Sequence, residues 1–73
     1  MATQIVMDHN GDTRYTFDPK DADALLRAEE RFKELMRAGF TAATRTASGE
    51  PAVTRKFDKA AEETLFFPRL VGG

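Results

Sequence analysis

Thr64-Leu65-Phe66-Phe67-Pro68-Arg69-Leu70-Val71-Gly72-Gly73 is an apolar run that meets a proline, then a short basic-apolar segment, then two glycines. The first four residues have strand character. Pro68 has no N–H to donate, so a ladder ends there. A Gly-Gly pair gains nothing in packing and has the largest conformational freedom to lose. Its place after a strand therefore points to a use outside the packed core. The chain divides accordingly into a domain over residues 1–68 and a flexible C-terminal tail over 69–73. If Leu65 and Phe67 point inward, Phe66 is left on the surface beside the tail as a partner anchor. The alternative places Phe66 in a small cluster with Phe57.

Working back from that strand, Lys59-Ala60-Ala61-Glu62-Glu63 reads as part of a connector over 58–63, of about one helical turn. Val53-Thr54-Arg55-Lys56-Phe57 reads as a short edge strand with Val53 and Phe57 inward, its Arg and Lys discouraging stray pairing. Ser48-Gly49-Glu50-Pro51 is a turn cluster, and Phe40 to Thr46 is a strand. The single long helix is expected over Pro19 to Ala38, with Asp18 as N-cap, Pro19 in the first position and Gly39 at the C-terminal cap. Leu25, Ala28, Phe32 and Leu35 or Met36 recur at three- and four-residue steps and form its buried stripe. Arg27, Glu30, Arg31, Glu34 and Arg37 form the opposite face, expected to meet water.

At the start of the chain, Ile5-Val6-Met7 and Thr13 to Phe17 flank His9-Asn10-Gly11-Asp12, a hairpin signal. A two-residue turn at Asn10-Gly11 mixes polar and apolar residues on both faces. A three-residue loop with Gly11 in the left-handed conformation and a bulge pairs Ile5 with Tyr15 and Met7 with Thr13. It puts Ile5, Met7, Tyr15 and Phe17 on one face, and is preferred. His9 is then a solvated turn residue. The order ββαβ(β)β predicts an α+β fold: a mixed sheet of four to five strands with one long helix packed on one face.

Composition narrows the function. Seventy-three residues make one small domain whose core supplies only a few kcal/mol. Eleven basic and twelve acidic residues give a formal net charge of −1, which argues against nucleic acid as the main partner. Cysteine is absent and histidine occurs once, so thiolate chemistry and Cys-ligated metals are excluded and no metal site is expected. No apolar run reaches the length of a membrane helix, and Met1-Ala2-Thr3-Gln4 lacks the features of a secretion signal. The expectation is a cytoplasmic monomer. Ser48 has no nearby base and no glycine-rich phosphate loop is present, so no catalytic residue is assigned and the chain is not expected to be an enzyme.

The remaining chemical group is the carboxylate of Gly73. It becomes reactive when a partner converts it with ATP to an acyl-adenylate. Gly72, lacking Cβ, lets the backbone thread a narrow channel. Arg69, Leu70 and Val71 supply docking contacts as an extended segment. In the alternative, Leu70 and Val71 continue the strand and pack on the body.

Glu63 to Gly73 resembles the end of the ubiquitin-like sulfur carriers, the ThiS/MoaD family, whose members close with an acidic turn, a short strand often reading Phe-Phe-Pro, and Gly-Gly. The hairpin and the single helix also resemble the ubiquitin-like β-grasp. The resemblance implies adenylation of Gly73 by an E1-like enzyme, conversion to a thiocarboxylate, and sulfur delivery in thiamine or molybdopterin biosynthesis. The acceptor would be thiazole synthase or the large subunit of molybdopterin synthase. No cofactor would be held stably, ATP being used by the activating partner. Phe66-Phe67-Pro68 leans toward the molybdopterin branch, the compact length and single helix toward the thiamine branch. Lys59-Ala60-Ala61-Glu62-Glu63 departs from the family's Asp-Gly-Asp type of turn. Two alternatives use the same chain differently: a protein modifier conjugated through Gly73, and an interaction domain that is never activated.

Overall fold

The computed structural model describes residues 1–45 and 49–68. Its elements are β1 (Ala2–Asp8), β2 (Gly11–Phe17), α1 (Ala22–Arg37), β3 (Phe40–Arg45), β4 (Ala52–Thr54) and β5 (Glu63–Pro68). They form one five-stranded mixed sheet in the order β2-β1-β5-β3-β4. β1 and β5 run parallel at its centre, and the other neighbours are antiparallel. With α1 against one face, this is the expected α+β, β-grasp-like arrangement.

The hairpin register differs from the expected one by a single residue. Asp8 pairs with Gly11, Val6 with Thr13, Gln4 with Tyr15 and Ala2 with Phe17, leaving only His9 and Asn10 in the turn. Gly11 does carry a positive φ, 116°, a conformation open to glycine. Asp8 anchors the turn by accepting a hydrogen bond from the Asn10 amide at 2.8 Å. A one-residue slip reverses every side chain. Ile5 and Met7 therefore lie on the face away from the helix, while Gln4, Val6, Tyr15 and Phe17 lie toward it.

The helix begins three residues later than the Asp-Pro pair suggests. Asp18 and Pro19 form a preceding turn, in which the Asp18 carbonyl accepts from the Asp21 amide and its carboxylate from the Lys20 amide. Pro19 sits in the second position of that turn, which its fixed φ suits. Asp21 is the N-cap, its carboxylate accepting from the amides of Asp23 and Ala24. Gly39, φ 96°, reverses the chain after the C-cap Ala38.

The buried stripe is as read. Ala28 and Phe32 are buried, and Leu25, Leu35 and Met36 are half-buried. Phe32 is the hub of an aromatic stack. Its ring meets Phe66 edge-on at 5.6 Å and Phe57 edge-on at 5.9 Å between centroids. Val6 and Ala42 complete the core, with Phe40 packed against it.

β4 stops at Thr54 because the Thr54 hydroxyl both accepts from the Lys56 amide and donates to the Lys56 carbonyl, bending the chain. The bend turns Phe57 in toward Phe32 as expected. Val53 is a correction: it pairs with Ala43 on the helix-free face and is 71% exposed. Residues 58–61 make a turn rather than a helix, closed by Asp58, which accepts from Ala60 and Ala61. The expected strand residue Thr46 and the turn residue Ser48 lie outside the described residues.

Candidate functional site

The pairing registers place Thr41, Ala43, Leu65, Phe67, Ile5 and Met7 on the face of the sheet opposite α1. Leu65 lies between Ile5 and Ala43, and Phe67 is opposite Thr41. Ile5 and Ala43 are buried among their neighbours, whereas Met7, Thr41, Leu65 and Phe67 are half-buried. The result is an apolar strip across the three central strands. It is bounded on the β2 side by Asp12 and Arg14, which sit opposite Met7 and Ile5. At the other end, an ion pair joins Arg45 Nη2 to Glu63 Oε1 at 2.8 Å.

β5 carries this strip to its exit. Because β1 and β5 are parallel, β5 ends at the same side of the sheet as the His9-Asn10 turn. Pro68, exposed, is the last residue of β5 and pairs with Phe40. The ladder ends at proline, as its missing donor requires. Arg69, Leu70, Val71, Gly72 and Gly73 lie outside the described residues, and so does the question of whether Leu70 and Val71 pack on the body.

Phe66 is a correction. It is fully buried at 0% exposure, edge-on to Phe32, and cannot serve as a surface anchor. The alternation along β5 runs the other way: Thr64 and Phe66 face the helix, and Leu65 and Phe67 face out. The cluster containing Phe66 and Phe57 is the main core itself, joined through Phe32.

The helix side holds a polar lock that sequence reasoning missed. Gln4 is 1% exposed. Its side-chain nitrogen donates to the Ala28 carbonyl at 3.0 Å, and its side-chain oxygen accepts from Arg31 Nη1 at 2.7 Å. The Arg31 guanidinium lies 3.9 Å from the centre of the Tyr15 ring, a cation–π contact. Arg31 is therefore half-buried structure rather than part of a solvated face. Beside this lock a groove of about 730 Å³ runs between α1 and β2, with Leu26 and Leu35 on the helix side and Thr13 and Tyr15 on the strand side.

Among the described residues, no three His, Asp or Glu side chains gather as metal ligands, and no helix is long and apolar enough to cross a membrane. What the arrangement can do is present an apolar, strand-built platform that leads directly to the segment after Pro68. Compared with known families, curated proteins and solved structures, the chain matches none.

Proposed function

We propose that this chain is a sulfur carrier whose mature form ends at Gly73, activated there by an E1-like enzyme and converted to a thiocarboxylate. The observation that carries the reading is the position of β5. It is a central strand whose face away from α1 carries the half-buried Leu65 and Phe67, and it delivers Pro68 at the sheet margin immediately before Arg69-Leu70-Val71-Gly72-Gly73. A partner seated on Leu65, Phe67 and Met7 would have the tail leaving its footprint toward its own active site. Pro68, Arg69, Leu70 and Val71 would guide that segment, and Gly72 would pass the narrowest part.

In this reading the Gly73 carboxylate oxygen attacks the α-phosphorus of ATP, and pyrophosphate leaves. The terminal sulfur of a partner persulfide attacks the acyl carbon and expels AMP. A thiol then cleaves the acyl disulfide, leaving the thiocarboxylate on Gly73 and a disulfide on the sulfur donor. The biosynthetic acceptor is thiazole synthase or the large subunit of molybdopterin synthase. All catalytic groups belong to the partners.

The test is the intact mass of the protein isolated from cells making both cofactors. A species with one oxygen replaced by sulfur at Gly73, lost on deleting Gly73 while the fold persists, is expected. Recovery of the carboxylate alone, with activating enzyme and sulfur donor present, defeats the proposal. A ladder of larger conjugates that needs Gly73 would assign the same tail to protein modification.

A further inference from the structure

The two edges of the sheet are built differently. β4 has three residues, follows Pro51 and is succeeded by Arg55 and Lys56, features that blunt an edge. β2 has seven residues, contains neither proline nor lysine, and six of the seven are exposed. Which of its backbone groups are free follows from the ladder. The Thr3 amide donates to the Glu62 carbonyl at 2.9 Å, so Thr3 faces β5 with its backbone, not β2. Hydrogen-bonded and non-hydrogen-bonded pairs alternate in an antiparallel ladder. Thr3, Ile5 and Met7 therefore sit in non-hydrogen-bonded pairs with Thr16, Arg14 and Asp12. Those three β2 residues direct their N–H and C=O groups away from the sheet.

We infer that β2 is a self-association edge, pairing antiparallel with β2 of a second copy of this chain about a two-fold axis through Thr13. The side chains select both the partner and the register. Centred on Thr13, Asp12 of each copy lies opposite Arg14 of the other, giving two cross-strand charge pairs on the helix-free face and four backbone hydrogen bonds. Centred on Arg14, like charges meet. Centred on Tyr15, no opposite charges meet. Of these three registers within β2, only the first is electrostatically self-complementary, as an isologous contact requires.

The helix-side face fits the same register. Tyr15, 38% exposed, falls opposite Gly11 of the other copy. A side chain built on Gly11 would meet nothing within 4 Å, so the space beside it is open to that ring. Aromatic residues set across from strand glycines stabilise such pairs. The contact is small, below the roughly 1,000 Å² of a permanent interface, so the dimer is weak and concentration-dependent, in place of the monomer expected from the sequence. It would join two apolar platforms into one ten-stranded sheet and leave both β5 exits free.

The test is sedimentation velocity of the full chain over a range reaching millimolar concentration, with folding checked by circular dichroism. The wild type is expected to dimerise. Arg14→Glu and Asp12→Arg, each placing like charges across the axis, are expected to weaken self-association about tenfold or more. An equimolar mixture of these two variants is expected to form the heterodimer, because both of its cross-strand pairs are opposite in charge. Arg14→Pro removes an outward amide without touching the β1 ladder and is expected to abolish pairing. A strictly monomeric wild type, or a dimer indifferent to the charge reversals and their mixture, overturns the inference.

Discussion

Phe66 and Phe67 are adjacent aromatic residues on β5 with opposite surroundings. Phe66 is sealed between the sheet and α1, edge-on to Phe32, with no exposed surface. Phe67 lies half-buried on the helix-free face, opposite Thr41 and near the exit at Pro68. One face of the same strand is committed to holding the domain together. The other leaves part of its apolar surface in reach of solvent, the kind of surface that marks binding sites. The lesson is that aromatic content in a strand does not by itself say which ring is structural. Register decides.

The largest effect expected from this contrast is on stability. Phe66→Ala should cost about 3–5 kcal/mol through lost burial and the cavity left against Phe32. For a domain of this size that is a large share of the whole, so thermal or urea unfolding should show a population unfolded at room temperature. A variant that melts like the parent would break the distinction. Next comes the polar lock on the same face. Gln4→Ala removes the buried side-chain bonds to the Ala28 carbonyl, which keeps its helix partner, and to Arg31, and should cost about 1–3 kcal/mol in urea unfolding. The smallest stability change belongs to the open face. Phe67→Ser should lower stability by about 1 kcal/mol. If the platform is the docking surface, the same change should sharply reduce formation of the acyl-adenylate by the activating enzyme. Loss of stability without loss of adenylation would reverse the assignment of the two faces.

The helix stripe, the strand sequence and the α+β class were legible because each rests on local periodicity. Leu25, Ala28, Phe32, Leu35 and Met36 can face only one way on one helix. The face of the hairpin was harder, for reasons visible in the residues. Ile5-Val6-Met7 is apolar three times in succession, so alternation does not choose between faces. Gln4 looks like a solvent residue, yet its amide donates to the helix backbone and accepts from Arg31, a tertiary arrangement no strand pattern encodes. Once Gln4 is inward, Ile5 and Met7 are outward. The parallel register with β5 then turns Leu65 and Phe67 outward too. Leu65-Phe66-Phe67 is likewise apolar three times in succession, so the strand's own pattern does not say that Phe66 is the inward ring. The Asp18-Pro19 start failed differently. Both Asp18 and Asp21 can cap, and the turn closed by the Asp21 amide on the Asp18 carbonyl leaves the second as the N-cap.

β5 is synthesised after both of its neighbours, yet it is inserted between them. Until it arrives, the nascent chain holds two fragments that share no ladder: the β1–β2 hairpin, and α1 with β3 and β4. The gap between β1 and β3 is one strand wide, and Phe66 is the piece of the core that fills it. Closure of this domain therefore waits for nearly all of it to leave the ribosome, since a chain interrupted before Glu63 has its two halves but nothing to zip them together. The segment that the proposed chemistry would use follows the strand whose insertion closes this sheet, so in that reading the tail would be offered by a domain that has already folded.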